Sequence, residues 1–289
     1  MIYSFLFAVF IAASAIFIED ATGRYPLWFS IFFNSLMTLL FFFALSISKV
    51  KDTYKACLNN MTISMPLMLF SMLIYILCFF STDMIGGSPY NTYYFATSGF
   101  LGYLLMREAA SKVNKGIAAA LAVLIITCTV YRFFYAELAR KELLGIFYAI
   151  LASLSGFLYA IFSKKLAYKE NLSPVQILSI RFFFLLILSF FLLPSNIKEL
   201  ISFQSMLYML MLTVTGMILP VYFLQKGIHI IGPEKNAVVV AFVPFLTLSF
   251  SVVFHQFFDI RESVFVIILT FLLLIPAGIT LFKRVSLRR

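Results

Sequence analysis

A chain of 289 residues that is 63% apolar, 18% aromatic and 12% charged, with a mean hydropathy of +1.02, lies far outside the composition of soluble globular domains. Its 22 basic residues against 12 acidic ones give a formal charge of +10, but the cations are spread over the loops between apolar runs rather than gathered on one face. That pattern argues against a nucleic-acid surface and for a topological signal in a lipid bilayer.

Apolar runs separated by polar turns predict an all-α, polytopic membrane protein. Its ten transmembrane helices are expected at residues 2–18, 26–48, 61–81, 89–106, 116–131, 143–163, 174–193, 206–225, 236–254 and 263–282. The first run, MIYSFLFAVFIAASAIFI, lacks a basic leader and reads as a retained span rather than a signal peptide. The second opens at Pro26 and the seventh at Pro174. The fourth, GSPYNTYYFATSGFLGYLLM from Gly87, is dense in hydroxyl and amide side chains. The seventh carries Arg181, the one basic residue inside a span, and the ninth is interrupted at Pro244. Cys57, Cys78 and Cys128 are an odd set at unpaired spacings, so neither a disulfide framework nor a metal knuckle is indicated.

With ten spans both termini share a side. Placing them in the cytoplasm puts 15 basic residues in inside loops and 6 in outside loops, as the positive-inside rule requires. The fourth and ninth runs correspond at an offset of 145, with Gly87 matching Gly232 and Gly99 standing opposite Pro244; Pro26 and Pro174 correspond at 148. Five spans per half is odd, so two repeats, residues 1–137 and 142–289, are expected to insert in opposite directions.

In the second half, LASLSGFLYAIFSKKL, SPVQILSIRFFF and VYFLQKGIHIIGPEKNAVVVAFVPFLTLSFSVVF follow one another as a small-residue span, an Arg-bearing span, a Tyr-bearing span and a Pro-interrupted span. This order resembles the drug/metabolite transporter superfamily, in particular its ten-span EamA-like family. The resemblance implies a central cavity lined mainly by the first, third, fourth, sixth, eighth and ninth spans, and alternating access by rocking of the halves. It also implies residence in the cell inner membrane. The chain departs from the family pattern where Gly156 and Ala13 stand at positions often held by Trp, which predicts a widened cavity. The acid after span four is kept as Glu108, whereas its counterpart after span nine is replaced around His255 and Gln256. A span-two arginine is absent, with Phe33 and Asn34 near its place.

Seven residues are candidates for binding a substrate. Arg181 lies about 10 Å into its helix, where a cation is costly unless it faces a wet cavity, and it suits a carboxylate or phosphate; the alternative is that it snorkels to the interface. On span four Tyr90, Tyr94 and Thr97 or Ser98 share one face, which should look inward, and Tyr94 and Asn91 would bond or stack on the substrate; the competing reading gives Tyr90 and Tyr93 to the interfacial aromatic belt and Thr97 and Ser98 to helix packing. Ser155 and Tyr159 flank Gly156 on span six, where small residues also serve close packing. Tyr222, with Gln225 and Tyr75, reads equally as an interface anchor.

All twelve acidic residues fall at span ends or in loops, so no carboxylate relay for protons or sodium is expected, and a facilitator or exchanger follows. No catalytic residue, metal or cofactor is expected. An intramembrane enzyme acting on lipids or isoprenoids is the alternative; it would need a clustered acid, base or nucleophile set, and the two histidines, His229 and His255, fall on opposite sides. The expected partners are the bilayer and a small-molecule substrate such as an amino acid, an amino-acid-derived or nucleoside-derived compound, or an organic anion. The expected state is a monomer, with a dimer as the alternative.

Overall fold

The computed structural model describes residues 2–105, 112–135, 140–195, 201–255, 264, 266–268 and 270–271. The described chain is helical throughout, without strands. The helices are α1 (Ile2–Arg24), α2 (Leu27–Leu45), α3 (Val50–Asn59), α4 (Met61–Ile85), α5 (Gly87–Leu105), α6 (Lys112–Tyr135) and α7 (Arg140–Glu170). They continue with α8 (Pro174–Arg181), α9 (Phe183–Phe191), α10 (Phe203–Thr213), α11 (Leu219–Ile231), α12 (Pro233–Val240) and α13 (Val243–His255). Each of the first nine expected spans falls on described helix. The tenth, 263–282, lies mostly outside the described residues, as do Glu108 and Gln256.

Among the described residues, five segments are long and apolar enough to cross a bilayer: Leu27–Leu45, Met61–Ile85, Lys141–Glu170, Pro174–Phe191 and Phe203–Ile231. Shorter apolar stretches run over Ile2–Ser14, Lys115–Thr127 and Lys235–Phe250. The distribution of side chains is the reverse of a soluble protein's. Phe191, Val253 and Ile126 are 77%, 71% and 61% exposed, while Ser30, Thr38, Ser71, Thr213 and Gln225 are fully buried. Lipid solvates the former and offers no hydrogen bond to the latter, so polar groups turn inward. This is a multi-pass membrane protein.

Local chemistry sets the ends and breaks. Ser173 caps α8 in a capping box with Gln176, and Pro174 takes the first turn, where its missing N–H costs nothing. Within span eight, a five-residue π-helical turn, Val214–Ile218, separates α10 from α11 just before Pro220, which has no N–H to give the preceding turn. Pro244 acts similarly. Span nine breaks at Ala241–Phe242 into α12 and α13, one turn upstream of the proline. Gly99, expected to interrupt span four in the same way, does not: α5 runs through it unbroken, because glycine keeps its N–H and costs only about 1 kcal/mol in a helix.

The feature that does recur lies elsewhere. Gly86 ends α4 with φ 85° and ψ 167°, and Gly232 ends α11 with φ 87° and ψ 162°, a region open in practice to glycine alone. Each donates its N–H back to its helix, to Thr82 and Ile228, and each accepts from the next one, from Tyr90 and Asn236. The partner of Gly232 is thus Gly86, one residue from the expected Gly87.

α4 packs along α7 over most of its length. Gly145 makes this possible, since a Cβ there would lie 2.6 Å from Ile85 Cγ2 and 2.9 Å from Met84 Cβ, and Ser81 Oγ donates to the Gly145 carbonyl at 2.8 Å. α1 packs on α11, α5 on α6, α7 and α12, and α2 on α8 and α9. The sequence reading missed α3, a short helix between spans two and three. Lys51 and Lys55 are exposed on it, and Thr53, Ala56 and Cys57 are buried.

The paired glycine turns give a direct test. Gly232→Ala should lower the thermal midpoint in detergent by the equivalent of about 1–3 kcal/mol through backbone strain. Gly116→Ala, in α6 with nothing within 4 Å of the new Cβ, should leave the midpoint unchanged or raise it slightly. Equal effects of the two substitutions would count against the strain.

Candidate functional site

One face of each surrounding helix converges on a cavity of about 100 Å³, counted as the space a water's centre can occupy. That is several times the roughly 10–15 Å³ a single water needs on this measure. α5 contributes Gly87, Tyr90, Asn91, Tyr94, Phe95 and Ser98, a stripe at helical spacing. α12 contributes Pro233, Asn236, Ala237 and Val240 in the same rhythm, and α11 contributes Pro220, Val221, Leu224 and Ile228. Phe7 and Ile11 come from α1, Tyr75 and Cys78 from α4, and Gly156 and Tyr159 from α7. All six spans expected to line a central cavity do so. α2 adds Asn34 and α8 adds Arg181, from two spans outside that set.

Arg181 dominates the electrostatics. It is 1% exposed and is the only charged side chain among the buried described residues. Its Nε donates to Ser71 Oγ at 2.9 Å, and its guanidinium lies 4.0 Å from the Tyr159 ring centre, 5.2 Å from Phe182 and 5.5 Å from Tyr75. Its Nη1 is buried without a hydrogen-bond partner. Aromatic faces offset part of the desolvation, but a cation at this depth still costs a few kcal/mol without a counter-ion. The side chain does not snorkel.

A second set of polar groups backs the cavity wall. Tyr159 donates its phenol proton to Gln225 Oε1 at 2.6 Å, and Gln225 Nε2 donates to Ser163 Oγ at 2.7 Å, with all three side chains fully buried. The chain fixes the ring on which Arg181 rests. Asn91 Nδ2 donates to Thr247 Oγ1 at 3.0 Å, tying α5 to α13, and Asn34 Oδ1 accepts from Thr213 Oγ1 at 2.6 Å. Asn236 Oδ1, on the cavity lining, is buried without a partner.

Of the seven residues singled out from sequence, Asn91, Tyr94, Ser98, Tyr159 and Arg181 lie together on the cavity lining. Ser155 and Tyr222 do not. Tyr222 is about 100° around α11 from the lining residue Val221; it packs beside Phe223 and accepts from Lys226 Nζ at 3.3 Å. Ser155 is displaced by the same angle from Gly156 and is buried in the α7 packing. Sequence reasoning did not single out Ser71, the neutral acceptor for Arg181, because a lone serine in an apolar helix carries no pattern. Gln225, read as an interface anchor, is fully buried.

Gly156 also differs from expectation. A Cβ at this position would collide with the Tyr94 hydroxyl. The room left by the missing side chain is therefore filled by the end of the Tyr94 ring rather than added to the cavity. Tyr94 in turn touches three separate core clusters and stacks edge-on to Phe95 at 4.6 Å.

Residues 143–282 match the model of the EamA-like transporter family. An EamA-like domain is thus found at residues 143–282, just under half of the chain. This is the family the ordered spans resemble, and its match begins inside α7 and covers the helices that carry Tyr159, Arg181 and Gln225. A solved crystal structure, one of 25 solved chains that match, superposes with a TM-score of 0.64 over 92% of this chain and 92% of its own at 11% identity, a likeness of fold alone. A search of curated proteins finds no match to the sequence.

Tyr159→Phe should destabilise the EamA-like half by about 1–3 kcal/mol, since Gln225 Oε1 would be left buried without its donor. Pairing it with Gln225→Leu should recover part of that loss, as removal of both partners does in buried pairs. Thermal unfolding of the two single variants and the double variant in detergent reads this coupling, and strict additivity would argue against the bond.

Proposed function

We propose that the chain is a secondary transporter of drug/metabolite type that moves a small organic metabolite by alternating access, as a facilitator or exchanger. In this reading its ten helices form two inverted five-helix halves, residues 1–137 and 142–289, that rock about the cavity. The protein sits as a monomer in the cell inner membrane with both termini in the cytoplasm. The observation that carries the proposal is the cavity itself, a mainly apolar space with a few convergent polar groups, Asn34, Asn91, Tyr94, Ser98, Tyr159 and Arg181 among them, lined by helices drawn from both parts of the chain. A solute site at the seam of two repeats, flanked by broken helices, is the arrangement from which such carriers work.

Further support comes from the matched turns at Gly86 and Gly232, which place the same local structure before α5 and before α12. The family match begins at residue 143, next to the proposed boundary at 142. The substrate contacts assigned in this reading are Asn91, Tyr94, Ser98, Tyr159 and Arg181. Asp83, the acid nearest to burial by sequence, is 50% exposed and faces Lys141 at 3.6 Å, which fits a carrier without a carboxylate relay.

Purified protein in proteoliposomes should drive counterflow of a radiolabelled solute chosen by a thermal-shift screen of metabolites, because ligands that bind only the folded state raise its apparent stability. Gly156→Trp, whose side chain must displace Tyr94 into the cavity, should cut that counterflow at least tenfold while the protein still reconstitutes. Uptake that shows no acceleration by solute on the far side would point to a channel instead.

A further inference from the structure

Among the described residues, the cavity lining holds one full charge, the Arg181 guanidinium, and no carboxylate. Arg181 Nε is occupied by the Ser71 hydroxyl, whereas Nη1 is buried without any hydrogen-bond partner. No described acidic side chain pairs with it, and its other neighbours are the rings of Tyr159, Tyr75 and Phe182. Gly87 and Pro233, the first residues of α5 and α12, also line the cavity, so two helix N-termini abut it with their positive dipole ends. The one full charge and both helix ends are positive; the opposing feature among the described lining residues is the neutral carbonyl oxygen of Asn236, buried without a partner.

We infer that the solute taken by this cavity is a small organic monoanion, with a carboxylate or an equivalent singly charged acid group on Arg181 and an apolar body against Phe7, Ile11 and Phe95. The inference rests on the carrier reading above in taking this cavity as the transport site. A carboxylate presents two planar acceptor oxygens to a guanidinium that has a free donor, and charge-assisted bonds of this kind are about twice as strong as neutral ones. The other end of the solute is set by the packing of the walls. Phe7 and Phe95 belong to one apolar cluster with Ala8, Ala12, Val240 and Val243, while Tyr159 belongs to a different cluster, beside the guanidinium.

Counting charge selects among solute classes. A monoanion leaves the occluded site neutral. A cation would add a second like charge in a medium where the interaction is about fourfold stronger than in bulk water. A zwitterion satisfies Arg181 but brings an ammonium to a lining whose described residues offer it the neutral Asn236 Oδ1 and no carboxylate. A dianion leaves one negative charge uncompensated. An α-amino acid, one of the solutes expected from sequence, therefore ranks below the corresponding acid without its amino group.

The test uses the full-length protein and a series that changes charge on one phenyl skeleton: phenylacetate, phenylacetamide, phenethylamine and phenylalanine. Phenylacetate should raise the thermal midpoint of the wild type by about 2–4 °C at tenfold excess over its Kd, and the amide and amine should not. R181Q should weaken phenylacetate binding about 10- to 100-fold, and R181K, which keeps the charge, should preserve the ranking. A salt arm makes no assumption about the apolar body. Nitrate in place of sulfate should stabilise the wild type more than R181Q, a difference that cancels general salt effects.

The inference is overturned if the amine, the amide or the zwitterion stabilises as strongly as the acid, if R181Q binds phenylacetate like the wild type, or if no anion separates the two proteins. Failure of the carrier reading looks different. Arg181-dependent anion binding without counterflow of labelled phenylacetate in proteoliposomes would leave the anion site standing and remove its role in transport. Counterflow that prefers phenethylamine would do the reverse.

Discussion

Hydrocarbon offers no hydrogen bonds, and that constraint arranges this molecule. Serine, threonine, asparagine and glutamine side chains are drawn to the interior because only other protein groups can satisfy them there. Most do so locally: Asn34 donates to the Ser30 carbonyl, Thr247 to Val243, and Ser179 to Gln176. Where helices cannot close up, the remaining polar groups from different helices meet across the cavity. Arg181 is the extreme case. It is a full charge held by rings and one hydroxyl, tolerable because the faces of Tyr159, Tyr75 and Phe182 and the Ser71 oxygen surround it.

The architecture was readable because a bilayer enforces a length and a sign on every segment. Runs of about 20 apolar residues located helices at the first nine expected positions, five segments of which are long and apolar enough to cross a bilayer among the described residues, and Pro174, being confined to a first helical turn, located one start within a residue. The inward face of α5 was also legible, since Tyr90, Asn91, Tyr94 and Ser98 repeat at the helical period. What misled was the reading of glycine and proline as equivalent interruptions. Proline removes a donor and glycine does not, so the break appears before Pro244 and nowhere near Gly99. α3 was missed because ten residues of mixed polarity between two spans look like a loop when nothing in the sequence shows which face is covered.

The site was legible by face and illegible by partner. Tyr222 and Val221 are adjacent in sequence, and only packing decides which looks into the cavity. Ser71 and Arg181 are 110 positions apart, and their bond follows from how α4 meets α8 rather than from any local pattern. Gly156 teaches the same lesson in reverse. A missing side chain suggests empty room, yet the structure fills that room with a tyrosine from another helix.

The overlooked helix α3 has a mechanical consequence. Gln176 Nε2 donates to Thr53 Oγ1 at 2.9 Å, and Asn60 Nδ2, just beyond the same helix, donates to Glu170 Oε1 at 2.6 Å. Both bonds tie chain from before residue 61 to chain from after residue 169, at a single end of the bundle. They behave as a clasp. Parting the helices at that end must undo both, whereas parting them at the far end must undo a different pair of ties, the Ser81 bond to the Gly145 carbonyl and the Asp83–Lys141 ion pair, so the two ends open independently.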